Sequence, residues 1–424
     1  MATLGRSPGA APLTTADIPD NSITAAKIVE GTITVGDIGT DAVGTDEIAD
    51  DAVTGAKIEN NPTIAGNLTV SGDLVPSTPL SHRNMIINGA MNVAQRGSTA
   101  HASSTYGAVD RFRIFLDSTE GRVTTTQDSE SPAGFSSSLK VDCTTIVSSV
   151  DAGDLVTVAQ VIEAQNLQHL DYGSATAKDM VLSFWIRSPK SGVHCVDMMQ
   201  NDNSNKTIIR EFTVASANTW EKFSVLIPGD TSGVINNDND RGLTIHWTLV
   251  AGSDYTNHTL NAWTATSGGG EKTGSSNQQN LLDNTANNFY LTGVQLELGS
   301  NATPFEHRSY GEELLRCQRY YQRNGGDANM ALASGASISS SGVFAQGNLV
   351  CTMRGTISMT FDTLWLYGSQ NSNMASGSLD YQHPSSTCIG INASSASTPF
   401  DRVGEAQMIL TNSDAGYMAF DAEL

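Results

Sequence analysis

The stretch that decides the fold is Gly242–Val250, which reads Gly-Leu-Thr-Ile-His-Trp-Thr-Leu-Val. Apolar and polar side chains alternate along it. The apolar ones are Leu243, Ile245, Trp247 and Leu249, and the polar ones are Thr244, His246 and Thr248. Because successive side chains of a strand point to opposite faces of its sheet, this alternation predicts a β-strand. It places Trp247 in an apolar core and His246 on the opposite, polar face.

Other runs with strand character surround this one, separated by clusters of Gly, Asn, Asp and Ser. They are Asn84–Val93, Gly121–Thr126, Ser138–Thr145, Leu155–Ile162, Met180–Arg187, Gly192–Met199, Lys206–Val214, Glu221–Ile227 and Phe289–Leu298. Many short strands with few helix signals predict an all-β fold, an antiparallel β-sandwich of the jelly-roll type over residues 82–309.

A short helix and a second β-rich region are predicted after this sandwich. Residues 310–323 carry Glu312 and Glu313 in the first turn and Arg323 near the end, an order that complements the helix dipole. The region beyond is rich in Ser, Gly and Asn. Its strand candidates are Ser337–Phe344, Asn348–Met353, Thr356–Phe361, Leu364–Tyr367, Ala406–Leu410 and Met418–Leu424. Residues 310–424 are therefore predicted to form a distal domain, the short helix followed by a smaller β-sandwich.

At the other end of the chain, an aliphatic residue recurs at every fifth position. The positions are Ile18, Ile23, Ile28, Ile33, Ile38, Val43, Ile48, Val53 and Ile58. An α-helix repeats about every 3.6 residues and a strand every two, so this spacing predicts a repeat with a bend in every unit. One unit cannot bury its own aliphatic side chain. We therefore predict a trimeric fibrous shaft, with a linker, over residues 18–81. Residues 1–17 are predicted to be an arm that docks on another protein or a flexible tail.

Two alternatives to the trimeric shaft stay open. The repeat could form a pentapeptide solenoid within one chain, although some forty residues would supply few coils. It could also be a disordered acidic linker, because residues 1–81 hold eleven acidic and three basic side chains and no aromatic residue.

The charge of the chain argues against several classes of partner. The formal net charge is -21, so no nucleic-acid binding is expected, since that requires a basic face. No membrane insertion is expected either, because no stretch reaches the length of a membrane-spanning helix. The five cysteines are scattered without a C-x-x-C pair, which predicts neither a disulfide framework nor a zinc site. The beginning of the chain has no apolar signal segment, so we expect synthesis in the cytoplasm of a host cell and release by lysis.

A search for catalytic motifs finds none that is complete. Gly268–Thr273 has Glu271 where a phosphate-binding loop needs glycine. Asn236–Gly242 is rich in oxygen ligands but lacks the closing Glu of a calcium loop. His194 and Cys195 are neighbours in a strand and point to opposite faces. We therefore predict a protein that is not an enzyme and that has no catalytic residue, metal site or cofactor.

Several stretches carry a resemblance to a known family. Arg83–Gly97 followed by Val109–Phe112, and Phe289–Gly299 followed by Thr303–Arg308, resemble the beginning and end of jelly-roll modules in bacteriophage tail fibres. Glu312–Tyr321 is similar to the continuation in that family. The resemblance implies a homotrimeric virion appendage that contacts the host surface.

The sandwich also resembles carbohydrate-binding jelly rolls with a structural calcium, in which an Asp often precedes the apolar run of the last strand. Thr292 stands at that position here.

Aromatic residues on polar faces are the candidate ligand contacts. Trp185 shares the polar face of its strand with Arg187, and it could stack on a sugar ring while Arg187 and His246 donate hydrogen bonds. The alternative is that a loop or a neighbouring subunit covers Trp185. Further candidates are Tyr255 and Trp263 in a long polar loop, and Trp365 and Tyr367 in a distal strand.

Together these observations predict a phage tail fibre subunit located in the virion as a tail appendage. Its expected partners are two further copies of itself, a tail or baseplate protein bound through residues 1–17, and a host surface polysaccharide or protein receptor. A structural connector without receptor binding is one alternative. A polysaccharide-degrading depolymerase is another.

Overall fold

The structure is a computed structural model that describes residues 18–19, 22–29, 32–34, 37–38, 81–202, 206–266, 272–340, 342–368, 372–373, 380–381, 388–394, 404 and 406–424. The chain divides into two compact units, Met1–Val75 and Pro76–Leu424. The predicted arm, residues 1–17, and the repeat beyond residue 38 lie outside the described residues. In the described part of the chain, no helix is both long enough and apolar enough to cross a bilayer.

The described part of the first unit contains one turn in every five residues. Backbone N–H groups donate to carbonyl oxygens three residues earlier at Ser22–Pro19 (3.1 Å), Lys27–Thr24 (2.8 Å), Thr32–Val29 (3.1 Å) and Asp37–Thr34 (2.9 Å). A short 3₁₀ helix spans Ala25–Lys27. The predicted bend in every unit is confirmed for these four units. The described period-five isoleucines are 43% to 58% exposed.

The second unit begins with an antiparallel β-sandwich. Its described strands are β1 (Thr99–His101), β2 (Thr105–Tyr106), β3 (Phe112–Asp117), β4 (Arg122–Asp128), β5 (Ser138–Thr145), β6 (Leu155–Glu163), β7 (Met180–Arg187), β8 (Gly192–Gln200), β9 (Lys206–Val214), β10 (Trp220–Ile227), β11 (Arg241–Ala251), β12 (Thr264–Ala265) and β13 (Asn288–Leu298). A 3₁₀ segment, Ala164–Leu170, follows β6, and a one-turn helix α1, Ser253–Thr256, follows β11. One sheet has the order β1-β4-β5-β13-β7-β10, and the other has the order β12-β9-β8-β11-β6-β3-β2.

The core of the sandwich forms around the strand that decides the fold. Trp247 on β11 is 1% exposed, as its alternation predicts. Its ring lies 6.3 Å from that of Phe112 and 5.7 Å from that of Phe184, centroid to centroid. Phe112 belongs to the seven-stranded sheet and Phe184 to the six-stranded one. The indole therefore fills the space between the two sheets, where burial of its large apolar surface stabilises both.

One predicted strand of the sandwich is wrong. Asn84–Val93 has no strand pairing, and Asn88 and Met91 have φ values of 62° and 59°, which a strand does not accept. The side chain of Asn88 holds this segment instead, because its amide donates to the carbonyl oxygens of Val93 (2.8 Å) and Asp110 (3.0 Å). Strand β3, in contrast, is present but was not among the predicted strands.

The predicted helix exists but is shorter than expected. Helix α2 spans Tyr310–Gln318, and the Ser309 hydroxyl caps it by accepting a hydrogen bond from the Glu312 backbone N–H (3.3 Å). The expected extension to residue 323 is wrong, because Tyr321–Gly325 forms a strand.

The rest of the second unit is a smaller β-rich part with its own core. Its described strands are β14 (Tyr321–Gly325), β15 (Ala331–Ser337), β16 (Gly342–Asn348), β17 (Ser358–Asp362), β18 (Leu364–Tyr367), β19 (Ser372–Asn373), β20 (Asp380–Tyr381), β21 (Cys388–Ser394), β22 (Ala406–Thr411) and β23 (Tyr417–Asp421). They form a three-stranded sheet, β14-β23-β17, and a seven-stranded sheet, β19-β18-β22-β15-β16-β21-β20. Fully buried side chains such as Val343, Leu366, Ile409 and Phe420 make the core.

Two strand predictions in this part are wrong. Ser337–Phe344 contains the turn between β15 and β16, where the Ile338 N–H donates to the Gly342 carbonyl oxygen (2.8 Å). Asn348–Met353 is irregular beyond the end of β16, and the Val350 N–H donates to the side chain of Gln322 (2.9 Å).

Buried charges join the two cores of this unit. Glu423, next to β23, forms ion pairs with Arg96 (3.2 Å) and Arg111. The Arg319 guanidinium makes two hydrogen bonds, of 2.8 and 2.9 Å, to the fully buried carboxylate of Glu163 at the end of β6. The smaller β-rich part is therefore fixed against the outer face of the seven-stranded sheet of the sandwich.

Candidate functional site

The outer face of the seven-stranded sandwich sheet carries a row of side chains across neighbouring strands. His246 on β11 lies opposite Ala159 on β6 and Asp197 on β8, and Ala159 lies opposite Arg113 on β3. Directly opposed residues of antiparallel strands share a face. The polar face predicted for His246 is therefore present, and Arg113 and Asp197 extend it over four strands.

Both ends of this face are covered by other parts of the unit. At one end lies the segment that follows α1, since Thr248 donates to the Thr273 carbonyl oxygen and Cys195 lies 2.6 Å from the side-chain oxygen of Gln278. At the other end, Tyr320 and Leu424 pack against Val161 of β6. The open part of the face is a cleft between these two covers.

The cleft has a narrow inner part and a wider mouth. Arg113, Phe115, Ala159, Met199, Thr244 and His246 line the inner part, which is about 10 Å³ in volume. The mouth is about 580 Å³ and is lined by Asn201, Asp202, Asp240 and Arg354. Arg241 and Met199 line both parts. The mouth has the size of a small-ligand site, whereas the inner part has room for little more than a water molecule.

His246 is held rigidly at the inner end of the cleft. Its Nδ1 lies 2.9 and 3.0 Å from the two carboxylate oxygens of Asp197, and both side chains are at most 3% exposed. A carboxylate only accepts hydrogen bonds, so Nδ1 carries a proton and donates it to Asp197. The pair fixes the orientation of the imidazole ring.

Three arginines approach the cleft in different ways. The Arg113 guanidinium lies 5.7 Å from the ring of Tyr106 and 5.8 Å from that of Phe115, which is cation–π distance. Arg354 donates to the carbonyl oxygens of Asn239 (3.0 Å) and Ala422 (2.8 Å) and so supports the mouth. Arg241, the first residue of β11, is exposed and has no hydrogen bond or ion pair to any described residue.

The two aspartates of the mouth already have protein partners. Asp202 accepts hydrogen bonds from the backbone N–H (3.0 Å) and side-chain amide (2.9 Å) of Asn236. Asp240 lies 3.8 Å from Arg354. Among the described residues, no group of three or more His, Cys, Asp and Glu side chains is arranged to hold a metal ion.

The structure does not bring together the predicted group of Trp185, Arg187 and His246. Trp185 and Arg187 lie on β7 of the six-stranded sheet, whereas His246 lies on the outer face of the other sheet. The predicted joint site is wrong, because alternation assigns a face within one strand but does not say which strands share a sheet.

Trp185 and Arg187 belong instead to an aromatic and basic surface of the six-stranded sheet. Arg187 lies opposite Trp220 and Tyr290, and its guanidinium is 5.0 Å from the Tyr290 ring. Trp185 lies in the next row and is half-buried. Trp220 and Tyr290 were not among the predicted site residues, because only strand pairing makes them neighbours of Arg187.

The two loop aromatics have structural contacts. The Trp263 indole N–H donates to the Pro228 carbonyl oxygen (2.7 Å), and its ring packs edge-on against Tyr172 at 6.0 Å. Tyr255 in α1 donates from its hydroxyl to Asp117 (2.7 Å), which anchors the start of the segment covering the sheet.

The distal pair forms a separate surface. Trp365 and Tyr367 lie on one face of β18 with ring centroids 6.1 Å apart, and Tyr367 is 43% exposed. Whether any of these aromatic residues contacts a ligand stays a prediction.

Comparison with known proteins gives structural likenesses only. No protein-family model matches the chain, and no curated protein sequence matches it. The enzymatically active domain of tailspike protein 4 from bacteriophage CBA120 is similar over 51% of this chain and 21% of its own, with 12% identity and a TM-score of 0.26.

Two sugar-related structures are similar over most of their own length. A family 11 carbohydrate-binding module of a cellulosomal cellulase of Clostridium thermocellum covers 49% of this chain and 98% of its own, with 14% identity and a TM-score of 0.25. A putative sugar-binding protein from Bacteroides thetaiotaomicron covers 51% of this chain and 100% of its own, with 13% identity and a TM-score of 0.27.

Proposed function

We propose that this protein is a glycan-binding subunit of a phage tail fibre, which attaches the virion to a polysaccharide of the host surface. The cleft on the seven-stranded sandwich sheet is the binding site. Residues 1–17 dock on a tail or baseplate protein, and residues 18–81 associate as the trimeric shaft. The protein acts by binding and not by catalysis.

The observation that carries the proposal is the mixed lining of the cleft. A sugar ring presents apolar C–H faces and a rim of hydroxyl groups that both donate and accept hydrogen bonds. Met199 and Leu424, which are 2% and 9% exposed, form the apolar floor of the mouth, while Asn201, Asp202 and Arg241 offer donors and acceptors around it. A concave site with a few polar groups around apolar surface is what a small polar ligand requires.

The covers of the cleft support the same function. The binding strands are continuous with the sandwich core, and the mouth is bounded by Arg354, which its own hydrogen bonds to two carbonyl oxygens fix in place. Because these groups are held before a ligand arrives, little conformational entropy is lost on binding. When the three copies in one fibre bind the same polysaccharide together, the fibre attaches firmly even though each single site binds weakly.

The test is retention of the full-length protein on a panel of immobilised bacterial polysaccharides, with the variant Asn201→Ala. Asn201 lies at the mouth and its side chain accepts a hydrogen bond from Thr244 (2.6 Å). We expect about fivefold weaker binding, the cost of roughly one hydrogen bond. Asn301→Ala in an exposed loop is the matched control and should bind like the parent protein.

Two results would contradict the proposal. One is that no polysaccharide retains the protein, or that both variants lose binding equally. The other is release of reducing sugar from a bound polysaccharide, which would make the chain a depolymerase.

A further inference from the structure

The cleft has a charge balance opposite to that of the chain. The whole chain holds 44 acidic and 23 basic side chains. The cleft lining, in contrast, contains three arginines, Arg113, Arg241 and Arg354, against two aspartates at its mouth, Asp202 and Asp240. An arginine-rich cleft in a strongly acidic protein attracts anions to that place and repels them elsewhere.

The aspartates do not neutralise Arg241. Asp202 is occupied by two hydrogen bonds from Asn236, and Asp240 faces Arg354. Arg241 is exposed, lines both parts of the cleft and has no acceptor among the described residues. Its planar guanidinium can therefore make two parallel hydrogen bonds to an incoming anionic group, the geometry that carboxylates and phosphates favour.

Local irregularity of β11 places Arg241 in the cleft. The pairing of β11 with β6 shifts register between Arg241 and Leu243, and Arg241 lies opposite Glu163. Without that shift, Arg241 would share the apolar inner face with Leu243 and Ile245. The bulge re-aims one basic side chain towards the cleft, as bulges near binding sites do.

We propose that the saccharide bound in this cleft carries an anionic group, a carboxylate or a phosphate, which Arg241 recognises. This inference rests on the proposed glycan-binding function and specifies its substrate class. The sugar ring lies in the mouth, and the anionic substituent points to Arg241, where the narrow inner part of the cleft begins.

The test uses two pairs of polymers that differ only in charge. The carboxylate pair is polygalacturonate and its methyl ester, and the phosphate pair is a phosphomannan and its dephosphorylated form. Binding of the full-length protein is measured by biolayer interferometry at low and high salt. We expect at least about tenfold tighter binding to the charged member of one pair, with a preference that weakens as salt screens the charge. The pair that shows this preference identifies the anionic group.

Two substitutions separate recognition by Arg241 from general charge. Arg241→Ala should abolish the preference, and Arg241→Lys should lose most of it, because an ammonium keeps the charge but not the planar fork. Arg316→Ala, which removes a partly exposed arginine from helix α2, is the matched control and should keep the preference.

The outcomes distinguish this inference from the function on which it rests. If neutral and charged polymers bind equally, or if Arg241→Ala keeps the preference, the anionic recognition is wrong while glycan binding stands. If none of these four polymers and none of the bacterial polysaccharides binds, both the inference and the proposed function fail.

Discussion

Arg111 is a buried charge that links the sandwich to the smaller β-rich part. It is 1% exposed, its guanidinium stacks 3.4 Å above the ring of Tyr320, and it pairs with Glu423. Burial alone would lower the pKa of Arg111, but Glu423 together with Tyr320, Tyr106 and Cys317 outweighs it and raises that pKa above its usual value. Arg111 therefore stays charged inside the protein, where it is held against Glu423.

Removing one member of this pair should be costly. Arg111→Leu leaves the Glu423 carboxylate buried with Arg96 as its remaining partner, so we expect a loss of about 3 kcal/mol in the free energy of unfolding. Urea unfolding followed by tryptophan fluorescence measures it. The double variant Arg111→Leu, Glu423→Leu should lose less than the single one, because it leaves one fewer buried charge unpaired. A double variant less stable than the single one would contradict this account.

The burial of His101 predicts that the folded protein loses part of its stability in acid. It is 2% exposed, and its two ring nitrogens lie 2.8 and 2.9 Å from the hydroxyls of Thr105 and Thr125. Burial lowers the pKa of His101 from 6.5 to about 4. The folded state thus favours the neutral ring, so its contribution to stability is complete above pH 6.5 and is lost as the pH falls towards 4.

The measurement for His101 is the free energy of unfolding across this pH range. We expect the parent protein to lose stability from pH 6.5 down to about 4 and the variant His101→Asn to lose less over the same range. His307→Asn, which changes an exposed histidine, is the control and should follow the parent curve. Parallel curves for His101→Asn and the parent would show that His101 does not titrate as proposed.

At the scale of secondary-structure elements, α2 and β6 are held together by one ion pair. Arg319, next to α2, makes two hydrogen bonds to Glu163 at the end of β6. Burial alone would raise the pKa of Glu163, but hydrogen bonds from Arg319, Tyr320 and Gln165 and the charge of Arg319 together hold that pKa below 4.5. The carboxylate therefore contributes stability above pH 4.5 that is lost as the pH falls through its lower folded-state pKa.

Glu163→Gln should remove this contribution. Because Arg319 is 32% exposed and partly screened by solvent, the pair should contribute less than a fully buried one. We expect the free energy of unfolding to fall by about 2 kcal/mol near neutral pH. The difference from the parent should shrink as the pH falls below 4.5. Glu312→Gln breaks an exposed pair with Arg316 within α2 and should cost less than about 0.5 kcal/mol. Equal losses for the two variants would contradict the role assigned to Glu163.

The secondary-structure elements also show which features of the fold the sequence patterns could predict. The strand around Trp247 could be predicted because its two faces differ in polarity along the whole run. Asn84–Val93 could not, since its backbone is held by the side chain of Asn88, with φ values that no alternation reveals. The end of α2 was missed for a related reason: Tyr321 and Gln322 suit a helix locally, but pairing with β23 makes them a strand.

The candidate site was predicted only in part. His246 was assigned to the correct face of its own strand. Arg241 was missed because strict alternation gives it the inner face of β11, and the register shift before Leu243 reverses this. Arg354 reaches the cleft from an irregular segment more than one hundred residues later in the chain, a contact that depends on tertiary structure. Alternation fixes the face of a residue within a strand, while sheet pairing and bulges decide which faces meet.

At the scale of the whole molecule, the period-five repeat predicts that three copies of the chain associate. The four described turns bend the chain once per unit, and the isoleucines between them stay about half exposed in a single chain. Each such side chain that becomes buried contributes roughly 1 kcal/mol. With nine period-five aliphatic residues in each chain, we expect association of three copies to gain enough to outweigh the entropy lost on assembly.

Light scattering of the full-length protein tests this assembly through the variant Ile23→Ser, Ile28→Ser, Ile33→Ser. We expect the parent to have the mass of a trimer and the triple variant to dissociate or to assemble only at higher concentration, because three apolar contacts per chain are lost.

Val29→Ser is the matched control: Val29 is aliphatic and 72% exposed but lies outside the five-residue period, so the trimer should persist. A monomeric parent would contradict the shaft, and dissociation by Val29→Ser would show that the period does not select the buried positions. If only the triple variant dissociates, that variant should also bind an immobilised polysaccharide far less firmly than the parent trimer, because each of its sites then binds alone.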